Sequence, residues 1–247
     1  MLPVLSLGPL ALPVRPLLLL LGLGLGLARI EREGRRKRIG ATLATDALWG
    51  LVVGYGVGRI TAWLSYGIPT PGDLLFMLRP LDPSIAPIPA LLSAAGVIAW
   101  RWHRHRIPWR TGLDAVVPLM FALAIAWALG DWAEGRRYGE PTSIPFLALL
   151  GGGERHPVQL YEAGLTLLAW IAWNRIRSSL KASGGAFLLA LMLYSGARLI
   201  VEGFRAESPV WMGFRVPQLL AFAGLLIGGW GLARMERSSH PGATRER

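Results

Sequence analysis

Long apolar runs alternate along the chain with short polar stretches that are either strongly basic or rich in Pro, Gly, Asp and Glu. Seven runs stand out, at about 10–28, 43–66, 87–101, 112–130, 158–174, 184–203 and 215–233. A bilayer core about 30 Å thick needs roughly 20 apolar residues in a helix, so each run reads as a membrane helix, the shorter ones barely spanning. The first is interrupted by Pro13, Arg15 and Pro16 and ends in a Leu-Gly alternation. Its uncharged N-terminal flank and the basic stretch that follows fit a retained first helix rather than a cleaved leader.

The polar stretches orient the runs. ARIEREGRRKR, RWHRHRIPWR, NRIRSSLK and the tail ARMERSSHPGATRER hold 17 of the 26 Lys and Arg, and they fall on alternate connections. An excess of Lys and Arg marks the cytoplasmic side. The expectation is therefore an all-α polytopic membrane protein, with seven transmembrane helices, the N-terminus outside and the C-terminus cytoplasmic. One domain would cover 1–233, with extracytoplasmic loops 67–86, 131–157 and 204–214 and a basic cytoplasmic tail over 234–247.

Composition agrees with this class. Fifty-three per cent hydrophobic residues and a mean hydropathy of +0.43 would leave a soluble chain exposing far too much apolar surface. The net charge of +11 does not argue for nucleic acid, because the basic residues lie between apolar runs, where anionic lipid head groups account for them. Zero cysteine excludes disulfides, thiolate metal ligands and a cysteine nucleophile. The chain carries no P-loop, zinc-binding His-Glu-x-x-His or dinucleotide glycine pattern, so no metal or cofactor is expected. Without an internal repeat, a transporter is a distant reading.

Candidate chemistry lies where polar groups enter the apolar runs. In His156-Pro157-Val158-Gln159-Leu160-Tyr161-Glu162, Pro157 suits a first helical turn. His156 is then placed at the cap and Gln159 and Glu162 further in, on an arc of about 120°. His and Tyr at such a place can be interfacial anchors, but an acid two turns into an apolar helix calls for a partner or a task. Arg198, Glu202 and Arg205 follow at i, i+4 and i+7, on one predicted helical face. An Arg198–Glu202 pair alone could fix packing; the second arginine leaves a charge to be met by Glu162 or an anionic ligand. Arg59, among the glycines of the second run, either snorkels to the interface or joins the site, and Asp131 closes the fourth run as an interfacial acid or a site residue.

HPVQLYE, WGLVVGYGVGRITAWLSYG and GARLIVEGFR together resemble the boxes of the prolipoprotein diacylglyceryl transferase family. The opening SLGPLAL, Asp46, Asp114 and Gln218 also fall where that family has like residues. The resemblance implies transfer of the diacylglyceryl group of phosphatidylglycerol to the thiol of the lipobox cysteine in a preprolipoprotein signal peptide, with release of glycerol phosphate. The implied place is the bacterial cytoplasmic (inner) membrane, where membrane lipid and the precursor would be the partners.

Such chemistry needs a base for a thiol whose ordinary pKa is about 8.5, and cations for the phosphate. The catalytic residues implied are His156, Arg198 and Glu202. Those implied for substrate binding are Arg59, Asp131, Gly139, Gln159, Tyr161, Glu162, Arg205 and Gln218. The expected topology leaves His103 and His105 in a cytoplasmic connection. The family signature Gly-Arg-x-Gly-Asn-Phe-x-Asn-x-Glu-x-x-Gly aligns with residues 127–139, where Ala128 replaces Arg, Asp131 and Glu134 replace the two Asn, and Arg136 replaces Glu. Gly130 and Gly139 remain; Ile88 replaces a family His and Arg15 a family Tyr. Arg136 and Arg137 are loop cations able to fill the gap left at 128. Two classes stay open: a transferase with a rearranged head-group site, and a non-catalytic relative that binds anionic lipid or lipoprotein precursor.

Overall fold

A computed structural model describes residues 4–8, 10–37, 39, 42–65, 85–145 and 153–239. Seven helices of 18 or more residues are present among them. They are α1 (Val14–Arg36), α2 (Thr42–Leu64), α3 (Pro87–Arg104), α4 (Trp109–Glu134), α5 (Val158–Ile176), α6 (Gly185–Glu202) and α7 (Val216–Ser239). Each coincides with one of the apolar runs. Helices α2, α4 and α6 and the stretch Val216–Arg237 are long and apolar enough to cross a membrane.

The first run is the one whose limits differ from expectation. Residues 10–13 form a strand, β2 (Leu10–Pro13), paired antiparallel with β1 (Val4–Leu7) through a turn in which Gly8 takes φ +61°. Helix α1 begins only at Val14, which places Pro16 in the first turn, where a missing N–H removes no helical hydrogen bond. The helix then continues through the basic stretch, and Arg35 and Arg36 lie at its carbonyl end, where cations complement the dipole. Of the expected extracytoplasmic loops, 66–84 and 146–152 lie outside the described residues, and 131–134 still belong to α4.

The described chain divides into two compact units. In the unit formed by 1–26 and 117–247, the Leu-Gly alternation of α1 puts Gly22 and Gly26 on the face that meets α4. A Cβ at either position would come within 2.6 Å of Ala126 or 2.5 Å of Leu119, so the small residues permit the close approach. The core joins Val117 and Phe121 of α4, Ala169 and Trp173 of α5, and Leu189 and Ala190 of α6. Trp173 is fully buried and donates its indole N–H to the Ala186 carbonyl at 2.7 Å. Gly224, Gly228 and Gly231 bring α7 against Ser195, Met192 and Leu188 of α6.

In the unit formed by 27–116, Gly50, Gly54 and Gly58 repeat at every fourth position along α2 and face Ile98, Ala94 and Ala90 of α3. Asp46 is fully buried and is held by Arg101 Nε at 2.6 Å and His105 Nδ1 at 3.1 Å. Asp114 is likewise buried and pairs with Lys37 Nζ at 2.6 Å. These two acids thus sit in ion pairs that join separate segments of this unit.

Candidate functional site

Backbone pairing builds the site in the unit that holds α5 and α6. Residues 138–142 run between two other segments. On one side the Glu140 N–H donates to the Phe204 carbonyl at 2.8 Å and the Ala206 N–H to the Tyr138 carbonyl at 3.4 Å. On the other, the His156 N–H donates to the Glu140 carbonyl and the Thr142 N–H to the Glu154 carbonyl, both at 2.9 Å. Gly139 lies opposite Arg205 and Pro141 opposite Arg155. This strand-like bridge ties the approach to α5 to the turn that leaves α6. Gly139 is buried at the crossing, and a Cβ there would fall 2.5 Å from the His156 carbonyl oxygen and from Val158 Cγ2.

Glu162 projects from the second turn of α5 with 6 % exposure. Arg198 Nη1 donates to its Oε1 at 2.7 Å and Arg205 Nη2 to its Oε2 at 2.9 Å. The same two arginines reach Glu202 Oε2 at 3.5 and 3.4 Å, and the Ser208 hydroxyl donates to Glu202 Oε1. Four charges are thereby closed into a set in which each acid meets both guanidiniums. The 198/202/205 stripe differs in detail from one helical face, because α6 ends at Glu202. Gly203 and Phe204 turn the chain, and Arg205 reaches Glu162 from beyond the helix while its backbone pairs with Gly139. Arg215 holds this turn by donating Nη1 to the Glu202 and Arg205 carbonyls at 2.7 and 2.8 Å and Nη2 to Glu140 at 3.3 Å.

A second charged group lies at the end of α4. Asp131, 1 % exposed, pairs with Arg15 Nη2 at 3.3 Å and with Arg137. Glu134 pairs with Arg15 Nη1 at 3.3 Å and Arg136 Nε at 2.8 Å. The Arg15 guanidinium also lies 4.6 Å from the ring centroid of Trp127. Ala128 is fully buried, so the cations here come from α1 and from the loop rather than from position 128. Arg137 sits in the left-handed region at φ +56°, a conformation that costs a non-glycine residue about 1–3 kcal/mol. Burial pushes its guanidinium pKa below the ordinary range; Glu162 pulls it back up, and Arg205, Arg198 and Arg15 push it down further.

His156 is half-buried one residue before Pro157, which itself caps α5, so the helix starts one residue later than the sequence suggests. Its Nδ1 lies 3.1 Å from the Tyr161 hydroxyl, and its ring packs 5.3 Å from Phe204, centroid to centroid. Gln159 is buried and donates its side-chain amide to the Arg136 carbonyl, tying α5 to the loop after α4. The structure thus brings His156, Gln159, Tyr161, Glu162, Arg198, Glu202, Arg205 and Gly139 together around one end of α5, with Asp131 linked through Arg137. Gln218 lies half-buried on the first turn of α7, and Arg59 is buried on α2 in the other unit. Sequence reading missed Ser208 and Arg215 and took Arg15 for a flaw in the first helix. The one available signal was the acidic pair Asp131 and Glu134, which calls for cations.

The model of the family described as prolipoprotein diacylglyceryl transferase matches residues 3–234. Among curated proteins, the chain is 29 % identical over 227 residues to a phosphatidylglycerol–prolipoprotein diacylglyceryl transferase of Pediococcus pentosaceus, covering 84 % of this chain and 80 % of that one. It is 26 % identical over 251 residues to a protein of the same name from Synechococcus elongatus, covering 92 % and 84 %. Another of that name from Bordetella parapertussis is 35 % identical over 135 residues, covering 52 % and 48 %.

Proposed function

The chain belongs to the prolipoprotein diacylglyceryl transferase family, and from that premise we propose that it moves the diacylglyceryl group of phosphatidylglycerol to a lipobox cysteine thiol in a preprolipoprotein. A sulfur–carbon bond forms at the glycerol carbon, the bond from that carbon to the phosphate oxygen breaks, and glycerol phosphate leaves. The observation that carries the reading is the Glu162 carboxylate clamped by Arg198 and Arg205 on the helix whose entry carries His156. Guanidinium groups bind phosphate oxygens through paired hydrogen bonds, and a preorganised pair of them, one buried and one partly exposed, is suited to charge that develops on a leaving phosphate.

His156 is the proposed base. With Nδ1 engaged 3.1 Å from the Tyr161 hydroxyl, Nε2 is left to accept the thiol proton, and imidazole is the side chain suited to taking up and giving back a proton at neutral pH. Glu202 and Glu162 aim the two arginines. Gln159 and Gly139 fix the loop after α4, and Gln218 completes the lipid site. The proposed setting is the bacterial cytoplasmic membrane, crossed seven times by one domain over 1–233, with the N-terminus and the site on the outer side and 234–247 as a cytoplasmic tail. Four apolar helices of spanning length and the charge alternation support that arrangement.

The test is a thioether-forming assay with purified full-length protein, phosphatidylglycerol vesicles and a lipobox peptide, read by the mass of the peptide. Gain of one diacylglyceryl group is expected. Protein that binds lipid and peptide yet never alkylates the thiol would overturn the assignment.

A further inference from the structure

The charged cluster on α1, α4, α5, α6, the loop after α4 and the turn after α6 does not balance. Arg15, Arg136, Arg137, Arg198 and Arg205 contact Asp131, Glu134, Glu162 and Glu202, five guanidiniums against four carboxylates. The surplus falls on the two loop arginines, Arg136 and Arg137, whose side chains are 45 % and 37 % exposed and therefore open to an anion from outside. The side chains of Arg15 and Arg205 are 11 % and 8 % exposed and are committed to two acids each. Arg136 is more open but turns to Glu134 alone. Arg137 differs from all of these. Its side chain is 37 % exposed, and its partner Asp131 is already neutralised by Arg15. Its backbone is held at φ +56°, between the turn at Gly135 and the buried Gly139. Strain of this kind collects at ligand clamps, where the surrounding structure imposes it.

We infer that Arg137 is a phosphate-binding residue of this chain, carried on the loop after α4, and that Asp131 parks its guanidinium while the site is empty. When a phosphate ester enters, Arg137 turns from Asp131 to the phosphate oxygens. Arg15 stays on Asp131, so no buried carboxylate is left bare. The mutual repulsion of Arg137, Arg198 and Arg205 is relieved by the incoming negative charge. The ligand chemistry is a phosphate ester of glycerol, met either as the lipid head group or as the released glycerol phosphate. The inference rests on the reading of this cluster as the transferase's lipid site.

The test compares wild type with Arg137→Gln, Arg137→Lys and Arg175→Gln. Affinity is measured for phosphatidylglycerol in nanodiscs and for soluble glycerol phosphate, together with the KM for phosphatidylglycerol and the affinity for a lipobox peptide. Arg137→Gln is expected to weaken phosphatidylglycerol binding at least tenfold with peptide affinity unchanged. Arg137→Lys keeps the charge without the fork and is expected to lose about threefold. Arg175→Gln carries the same charge change on the last turn of α5, outside the cluster, and is expected to bind as wild type. A parallel loss for glycerol phosphate places the contact on the phosphate in both ligands, and a loss for the lipid alone confines it to the bound head group.

Wild-type affinity in Arg137→Gln, or an equal loss in Arg175→Gln, would overturn the inference. If Arg137→Gln proves unstable in detergent, Arg137→Lys decides, and undiminished binding of both phosphatidylglycerol and glycerol phosphate by it counts against the role. An active wild type whose Arg137→Gln variant keeps its KM removes this residue and leaves the transferase. A wild type that binds phosphatidylglycerol through Arg137 yet forms no thioether does the reverse.

Discussion

Gly139 grips the backbone of His156: the space where its Cβ would stand is filled by the His156 carbonyl oxygen at 2.5 Å, on the far side of the strand-like segment that also pairs with Arg205. One position therefore sets the distance between the proposed base and the proposed phosphate cations.

Gly139→Ala is expected to push residues 138–142 off one of their two partners. Overpacking of this kind costs about 1–3 kcal/mol. Both a melting temperature lowered by several degrees and a fall in transfer rate should follow, and a variant with wild-type rate would show that this spacing does not matter to the chemistry.

Arg198→Ala leaves Glu162 to Arg205 alone and takes away one of the two cations on Glu202. Loss of phosphatidylglycerol that co-purifies with the protein is the expected result, with destabilisation of roughly 1–3 kcal/mol from the unmet carboxylate oxygen. Lipid analysis after detergent extraction checks it, and an unchanged phosphatidylglycerol content would contradict the phosphate role.

His156→Gln keeps a polar group beside Tyr161 but removes the proton acceptor. The transfer rate should fall by at least about tenfold to a hundredfold, the larger figure being the lower end of the usual contribution of general base catalysis, with peptide affinity little altered. A fully active His156→Gln enzyme would exclude His156 as the base and leave the cation cluster untouched as a lipid site.

Thr166, one turn beyond Glu162 on α5, is 1 % exposed, and its hydroxyl has no hydrogen-bond partner among the described residues. Replacing it by Val preserves the shape and removes a desolvated group, so Thr166→Val should stabilise by about 1 kcal/mol without changing activity. A lowered melting temperature in detergent would reveal a partner for that hydroxyl.

Much of the fold was legible because it follows from local pattern. The seven helices appear within a few residues of the apolar runs, apart from the first, where the stretch 10–13 is apolar enough for a helix but pairs with 4–7 instead. Such pairing depends on Gly8 and on residues across a turn, which hydropathy does not register. The Glu162 clamp was half visible, since Arg198, Glu202 and Arg205 share a spacing and Glu162 demands a cation. Arg205 working from outside the helix was not visible, because the ending of α6 at Glu202 depends on the backbone pairing of Arg205 with Gly139, 66 positions earlier in the chain. Arg15 illustrates the other limit. As a charge in an apolar run it looks like a defect, and only a partner more than a hundred residues away makes it a bridge.

The clamp on Glu162 also has a consequence for biogenesis. Glu162 precedes Arg198 by 36 residues and Arg205 by 43, so it leaves the ribosome well before either cation exists. At translation speeds of about 5–20 residues per second the carboxylate waits a few seconds for its partners. In the proposed membrane arrangement, α5 cannot be released alone into lipid as a finished helix without carrying an uncompensated acid. The insertion machinery has to hold α5 until α6 and the turn beyond it emerge, which makes the α5–α6 hairpin, rather than either helix, the unit that partitions.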